Sequence, residues 1–431
     1  MTRFFIKTMG CKSNQLEGCL IEENLLKNGL EKAEKISDAD IFILNSCTVT
    51  HKSDNEAFNI LHKAKHSNPN IKTILTGCIA QIEKEKLLET PDIDVVLGND
   101  EKLEISKYLE CACVVGEIES LNSFHSLILE DTSKTRASLK IQDGCDHRCS
   151  YCIIPFARGK NRSADLDFIL EQIKIYEAAG FKEIMLTGIH IGQWGCEGKG
   201  KSEKKNLLHL LQSIEANTNI ERFRLGSLNP LEIDDEMLQF LKSSQKFCPH
   251  FHLSLQSMCD KTLKSMNRHY SVDRAMDLIE KISEYFPHGF IGSDIIAGFA
   301  GESEEDFEIT IENLKKSKLT QIHTFPYSIR QGTAAEKFEN HLPQKTKDAR
   351  AKIIKEISAQ KYRAFLDKNL NTVQEVLIEK KLDAKTGFLK GVTRNYLNVL
   401  IDNEIDFKSV RNTLQEVKII NIGEHILGKF Q

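Results

Sequence analysis

The sequence predicts an α/β protein in three parts: an N-terminal parallel-sheet α/β domain over 1–115, a central partial (β/α)6 TIM-like barrel within 131–368, and a small antiparallel β-barrel over 371–431. Three observations predict it. Short β-rich runs alternate with amphipathic stretches over roughly the first hundred residues, and the same alternation resumes at residue 137. Beyond a basic helical stretch the chain changes to short alternating runs separated by Gly, Asn and Asp. A length of 431 residues suits about three domains.

The first series begins with FFIKTM (4–9), followed by a helical pattern from near Asn14. IFILN (41–45) precedes a second, from about Ser53 to His66, and IKTILTG (71–77) precedes a third; DVVLG (94–98) closes the set. Such alternation reads as parallel βαβ units, with the loops after the strands forming one edge. Residues 111–135 read as a linker. The second series has strands at ASLKIQ (137–142), EIMLTG (183–188), RFRLGS (222–227), HFHLSL (250–255), FIGSDIIAGF (290–299) and QIHTFPY (321–327). Helical stretches fall near 165–178, 205–216, 272–285 and 303–315. In a β/α barrel the active site lies at the carboxyl ends of the strands. The last sixty residues offer VQEVLIEK, GFLKGVTR, YLNVLID, LQEVKIINI and HILGKF as five short strands.

Composition narrows the classes. With 40% hydrophobic and 28% charged residues the chain reads as a soluble globular protein, and no apolar run approaches a membrane span. The N-terminus lacks the apolar stretch of a signal peptide, so a cytoplasmic location is expected, with no membrane partner. Thiols stay reduced there, and the 12 cysteines therefore point to metal binding or catalysis rather than disulfides. A net charge of −4 excludes a wholly basic nucleic-acid binder. One stretch, residues 345–368, carries eight Lys or Arg against three Asp or Glu in a helical pattern. It is either a solvated helix face or a phosphate-contacting surface.

The cysteines fall into two sets. Cys11, Cys47 and Cys78 each stand just beyond a strand, in MGC, LNSC and LTGC. Strand ends on one edge of a parallel sheet bring three thiols together, as a three-thiolate metal site or as small buried residues. The other set, Cys145, Cys149 and Cys152, is crowded into GCDHRCSYC at the mouth of the first strand of the second series. Three clustered thiols without a fourth nearby suit a cubane with one iron left open; a structural zinc site or an electron-transfer cluster are the alternatives.

The CxxxCxxC spacing of Cys145, Cys149 and Cys152 resembles that of the radical S-adenosylmethionine superfamily. The resemblance implies a [4Fe–4S] cluster on these three residues, S-adenosylmethionine on its open iron, and a 5′-deoxyadenosyl radical as the product of reductive cleavage. Tyr151 fits the aromatic that packs on the adenine, and Ser227, Gln256, Asp294 and Arg158 match further cofactor contacts. Nearly the whole chain is similar to the methylthiotransferases, on YCIIPFARGKNRS (151–163) and FPYSIRQGTAA (325–335). That family implies a second [4Fe–4S] cluster on Cys11, Cys47 and Cys78, holding the sulfur to be transferred, and a TRAM-like RNA-binding barrel at the C-terminus. MGCKSNQLEG (9–18) and NRHYS (267–271) resemble the branch that thiomethylates C2 of N6-threonylcarbamoyladenosine next to the anticodon, at position 37.

The partners so implied are a tRNA anticodon stem-loop, S-adenosylmethionine, an electron donor of flavodoxin or ferredoxin type, and a sulfur donor. The alternatives are methylthiolation of isopentenyladenosine in tRNA, or of a ribosomal protein side chain, and a non-enzymatic zinc or RNA-binding module. The basic stretch 345–368 and the small barrel are expected to contact RNA. QSMCD (256–260) and GFAGE (298–302) depart from the family's QSGSD and GFPGE. Cys259 reads as a tolerated substitution, and Cys19, Cys111, Cys113, Cys196 and Cys248 as structural thiols. His190 and His323, near strand ends, read as histidines satisfied by ordinary hydrogen bonds.

Overall fold

The computed structural model describes residues 1–126, 134–196, 206–402 and 406–431. Its first sheet is wholly parallel and has six strands: β1 (Arg3–Thr8), β2 (Glu31–Lys32), β3 (Ile41–Ser46), β4 (Lys72–Gly77), β5 (Val95–Leu97) and β6 (Cys113–Val114). They are ordered β2-β1-β3-β4-β5-β6. Every residue of β3 is buried, as expected of a central strand covered on both faces. Helices α1 (Lys12–Lys27), α2 (His51–Ser67), α3 (Cys78–Ile82) and α4 (Lys84–Leu88) provide the crossovers. Strand β6 falls inside the expected linker. Cys113 and Val114 pair with Val96 and Leu97, so the sheet gains an edge where the sequence suggested a spacer. Residues 127–133 of that stretch lie outside the described residues.

The central unit begins with β7 (Ala137–Lys140) and a small hairpin of β8 (Gln142–Asp143) and β9 (Arg162–Ser163), between which lies α5 (Ile154–Arg158). It continues through α6 (Leu166–Ala178), β10 (Glu183–Thr187), α7 (Leu207–Asn217), β11 (Arg222–Leu225), α8 (Asp235–Ser243) and β12 (His250–Gln256). Then come α9 (Asp260–Ser265), α10 (Val272–Tyr285), β13 (Phe290–Ala297), α11 (Glu304–Lys316) and β14 (Gln321–Pro326). The six long strands appear at the expected places, as two three-stranded parallel sheets, β11-β10-β7 and β12-β13-β14. Two isolated parallel bridges, Phe223 to Phe247 and Leu228 to Leu253, join them. β11 spans only four residues, so its junction with β12 is reduced to these points.

Alternation along the strands makes two unlike faces. Ile184, Leu186, Phe223, Leu225, Phe251 and Leu253 enter the core beneath the helices. The intervening residues, Glu183, Met185, Arg224, His250, His252 and Asp294, line the opposite face, which is polar. Polar side chains on that face are affordable only because other parts of the chain partner them.

Helix α12 (Gln344–Asn369) leads to the C-terminal unit, whose strands are β15 (Val373–Ile378), β16 (Leu389–Thr393), β17 (Asn398–Ile401), β18 (Leu414–Ile422) and β19 (Ile426–Phe430), with a short α13 (Phe407–Val410). They close a barrel in the order β15-β16-β17-β19-β18. It is not wholly antiparallel: β17 and β19 run parallel. A closed ring with an odd number of strands cannot alternate direction throughout, so one parallel pair is obligatory. The barrel docks on β11 through two buried arginines. Arg222 binds the Glu375 carboxylate at 2.7 Å, and Arg224 donates to the carbonyls of Thr393 and Arg394.

The first unit docks where the central strands end. Arg330, four residues after β14, donates to Asp54 Oδ2 at 2.5 Å and to Thr48 Oγ1 at 2.6 Å, and all three residues are buried. His51 N–H donates to Ser328 Oγ at 3.1 Å, and Asn99 Nδ2 to the Ala157 carbonyl at 2.8 Å. Removing one member of a buried pair strands the other charge. Arg330→Ala is expected to destabilise the first unit by about 3 kcal/mol. Thermal unfolding followed by circular dichroism checks this: an early transition should appear that the parent protein lacks.

Candidate active site

Strands β1, β3 and β4 are immediate neighbours, and Cys11, Cys47 and Cys78 follow them within a few residues. Adjacency in the sheet therefore gathers three thiols separated by more than thirty residues in the chain. Glycines permit the approach. Gly10 has φ +88°, and a Cβ there would stand 2.6 Å from Cys47 Cβ; Gly77 has φ +94°, and a Cβ would stand 2.3 Å from the Ser46 carbonyl oxygen. Burial first, and then the neighbouring Cys78 and Cys11, push the Cys47 thiol up to about 11. Burial likewise raises Cys11, against the pull of Arg158.

Around this trio lies an inner ring of buried charge. Glu17 on α1 accepts from Arg158 Nη1 at 2.5 Å, Lys102 Nζ at 2.6 Å and Lys140 Nζ at 2.7 Å. Burial alone would raise the Glu17 carboxyl, but Arg158, Lys102 and Lys140 together hold it well below the usual carboxylate range. Asp143 joins them, taking Lys140 at 2.7 Å and Arg162 at 3.5 Å. Four cations thus face two carboxylates, and one of them reaches a thiol: Arg158 Nε is 3.4 Å from Cys78 Sγ, which the neutral amide of Asn99 also approaches, its Nδ2 at 3.8 Å.

The second trio occupies the loop between β8 and α5. Gly144 has φ +71°, and a Cβ there would collide with the Lys160 carbonyl at 1.8 Å, so this turn too requires glycine. Cys152 N–H donates to the Cys149 carbonyl at 3.0 Å, which folds the last two cysteines into one turn. Burial first, then Cys149 and Cys145, push Cys152 up to about 12. Two donors address the other sulfurs: His190 Nδ1 is 3.4 Å from Cys145 Sγ, and Arg268 Nη1 is 3.6 Å from Cys149 Sγ. His190 Nε2 in turn faces the Glu232 carboxylate. Burial opposes its charge, but the contacts with Cys145 and Glu232 prevail and raise His190 to about 10. Gly192 makes room, since a Cβ there would overlap Glu232.

Three of the expected cofactor contacts are neighbours. Ser227 Oγ meets Ser254 Oγ at 2.7 Å, Gln256 ends β12 at φ +68° beside Ile295 of β13, and Asp294 Oδ2 meets His252 Nε2 at 2.9 Å. Tyr151 presents its ring edge-on to Phe299 at 6.4 Å, among Met266 and Tyr327. Arg158 stands apart from this group: almost wholly buried, it is committed to Glu17 and Cys78. His190, read from sequence as an ordinary histidine, instead faces a cluster-motif thiol. His323 packs 5.5 Å from His252. Glu17, Lys102, Asn99, Arg268 and Glu232 were not singled out; the signal available for the first was a carboxylate on the apolar side of α1, and for Arg268 its place in NRHYS.

Among the described residues, no three His, Cys, Asp or Glu side chains converge as a site for one metal ion. A cubane places each thiolate on a different iron, and two sets of three thiols, one backed by surplus buried cations, form a donor set suited to such anionic clusters.

Residues 139–314 match the Radical SAM superfamily and residues 3–98 match Uncharacterized protein family UPF0004. Among curated proteins the chain is 36% identical over 405 residues to a threonylcarbamoyladenosine tRNA methylthiotransferase MtaB of Aquifex aeolicus, covering 91% of this chain and 95% of the relative. It is 31% identical to a tRNA-2-methylthio-N(6)-dimethylallyladenosine synthase of Clostridium botulinum, covering 97% and 94%. Among solved structures, the fold is similar to that of a radical S-adenosylmethionine methyltransferase, TsrM, of Kitasatospora setae, at a TM-score of 0.55 and 12% identity over 75% of each chain. Fold and loop define the class, a radical S-adenosylmethionine enzyme whose cofactors are S-adenosylmethionine and [4Fe–4S] clusters. Within it, the chain belongs to the methylthiotransferase family.

Thiols must lose their protons to bind iron, and both Cys47 and Cys152 are held protonated at neutral pH. Cluster assembly on the apoprotein therefore releases protons and is favoured as pH rises. Anaerobic iron uptake, followed as iron bound per chain against time, should be faster at about pH 8.5 than at about pH 7. Uptake independent of pH would contradict the raised thiols.

Proposed function

We propose that the protein adds a methylthio group to C2 of N6-threonylcarbamoyladenosine at position 37 of tRNA, next to the anticodon. The observation that carries this reading is the link that α5 makes between the two cysteine sets. Helix α5 starts two residues after Cys152 and ends on Arg158, which donates to Cys78 of the other set. Methylthiolation needs a radical source and a sulfur carrier side by side, and one five-residue helix ties the two places together.

In this reading Cys145, Cys149 and Cys152 hold one [4Fe–4S] cluster and Cys11, Cys47 and Cys78 the other. When bound, these groups and S-adenosylmethionine supply the radical, sulfur and methyl chemistry at a C–H bond too weakly acidic for a side-chain base. The chain's own part is positioning. Ser227, Gln256 and Asp294 line the polar face as cofactor contacts, and the half-buried ring of Tyr151 offers a surface for the adenine. Arg268 and His190 hold the sulfurs of Cys149 and Cys145 with N–H donors, which fixes their orientation. Arg158 serves Cys78 in place of the S-adenosylmethionine contact suggested by its motif. An external flavodoxin- or ferredoxin-type protein supplies electrons, and a separate donor supplies sulfur.

The RNA is held by the small TRAM-like barrel and by part of α12. Of the helix's basic residues, Lys347 donates to the Tyr327 carbonyl, Arg350 pairs with Glu302, Lys361 donates to the Ser317 carbonyl and Arg363 pairs with Asp367. Lys345, Lys352, Lys355 and Lys368 remain exposed for phosphates. A base in an anticodon loop is reached by splaying it from the stack.

Two experiments test the reading. Reconstituted protein should carry about eight irons per chain, and Cys78→Ala and Cys149→Ala about four each; stoichiometric zinc without iron overturns the cluster assignment. Nucleoside analysis of tRNA from a deletion strain should lack methylthiolated threonylcarbamoyladenosine. Loss of methylthiolated isopentenyladenosine alone, or of a ribosomal protein modification alone, would reassign the substrate.

A further inference from the structure

Between α1, the polar face of the central strands and the C-terminal barrel lies an open cavity of about 530 Å³. All three units contribute to its wall, among them Lys12, Lys134, Arg136, Lys381, Lys390 and Tyr396. Two carboxylates, Glu183 and Glu379, line it as well, and both are already engaged. Glu183 takes Arg224 at 3.1 Å, while Glu379 lies 3.4 Å from Lys390 and 3.7 Å from Arg136. Lys134 Nζ reaches Cys19 Sγ at 3.1 Å. Lys12 differs from these. Among the described residues it has no carboxylate partner, and its ammonium lies 5.5 Å from the centre of the Tyr396 ring. The same ring takes Arg136 at 5.6 Å and Arg224 at 4.9 Å.

Tyr396 is held at φ +73°, a left-handed conformation that a bulky residue adopts only under constraint from its surroundings. The hairpin between β16 and β17 thereby presents its phenol to three cations. Lys12 itself reaches solvent through the open side of the cavity. The cavity is thus a preformed cationic site whose lysines and arginine outnumber its two carboxylates. It also adjoins the chemistry, because Lys12 is the residue after Cys11.

We infer that this cavity receives the carboxylate of the threonylcarbamoyl group, with Lys12 as the specificity-determining residue. The inference rests on the function proposed above and deepens it. A threonylcarbamoyl group carries one negative charge, which Lys12 takes through a charge-assisted hydrogen bond. A dimethylallyl group is a hydrocarbon, and burying it here would desolvate Lys12 and Arg136 with nothing in return. Discrimination between the two modified adenosines then comes from charge, not size.

The test uses the reconstituted holoenzyme and four RNA hairpins of one sequence. At the target position they carry threonylcarbamoyladenosine, its methyl ester, dimethylallyladenosine or plain adenosine. All backbone phosphates are the same, so the ester isolates the carboxylate. Fluorescence anisotropy should show the acid binding about tenfold more tightly than the ester. Lys12→Gln should bring the two within about twofold, Lys12→Arg should keep the preference, and plain adenosine should bind the parent and Lys12→Gln alike. Equal affinity of the parent for acid and ester, or an undiminished preference in Lys12→Gln, overturns the inference. Methylthiolation of the dimethylallyl hairpin but not the threonylcarbamoyl one overturns the proposed function itself, whatever Lys12 does.

Discussion

A single buried carboxylate, Glu17, organises the junction on which the two cysteine sets depend. It belongs to α1, yet its three cationic partners come from three places: Lys102 from the first unit, Lys140 from the end of β7, and Arg158 from the helix after the second set. A buried carboxylate without partners would be expelled or protonated. Here it is kept charged by surrounding cations, and those cations exceed the local negative charge. The surplus is useful only if something anionic stands beside it, and the thiols of the first set do. Docking of units and electrostatics of the site are therefore one arrangement.

The same logic runs through the rest of the molecule. The polar face of the central strands would be a liability in a free-standing parallel sheet, whose two faces are normally both apolar. It is tolerated because α1 closes on it from one side and the C-terminal barrel plugs it from another, with Arg222 and Arg224 bonded to Glu375 and to backbone carbonyls of the barrel. The space left between these covers is the cationic cavity. Its walls come from three units, so its charge is a property of their assembly and of no single segment.

Much of the architecture was legible because periodicity reports directly on local structure. The strand ends carrying Cys11, Cys47 and Cys78 stand where the β-rich runs stop, and the three are gathered because β1, β3 and β4 are adjacent. The six strands of the central unit and the five of the barrel also lie where alternation placed them. Three features were not legible. Strand β6 is two residues long, too short for any pattern to reveal. The parallel pairing of β17 with β19 follows from ring closure, which is global. The break between the two central sheets depends on how few bonds β11 and β12 share.

The sequence by itself determined the chemistry: which residues are thiols, their spacing, the class of reaction that three unaccompanied cysteines suit, and the alternating α/β order. Those properties are written in identity and period, which survive without a fold. Only the tertiary structure decided where long side chains reach. Arg158 follows the second cysteine set by six residues yet serves the first; His190 turns to Cys145; half the cations of α12 are consumed internally; Lys12 has no carboxylate partner among the described residues. Apart from Lys347 with Tyr327 and the i,i+4 pair of Arg363 with Asp367, these partnerships join residues more than forty positions apart. A charge finds its partner only after the backbone has brought distant segments together and excluded water between them.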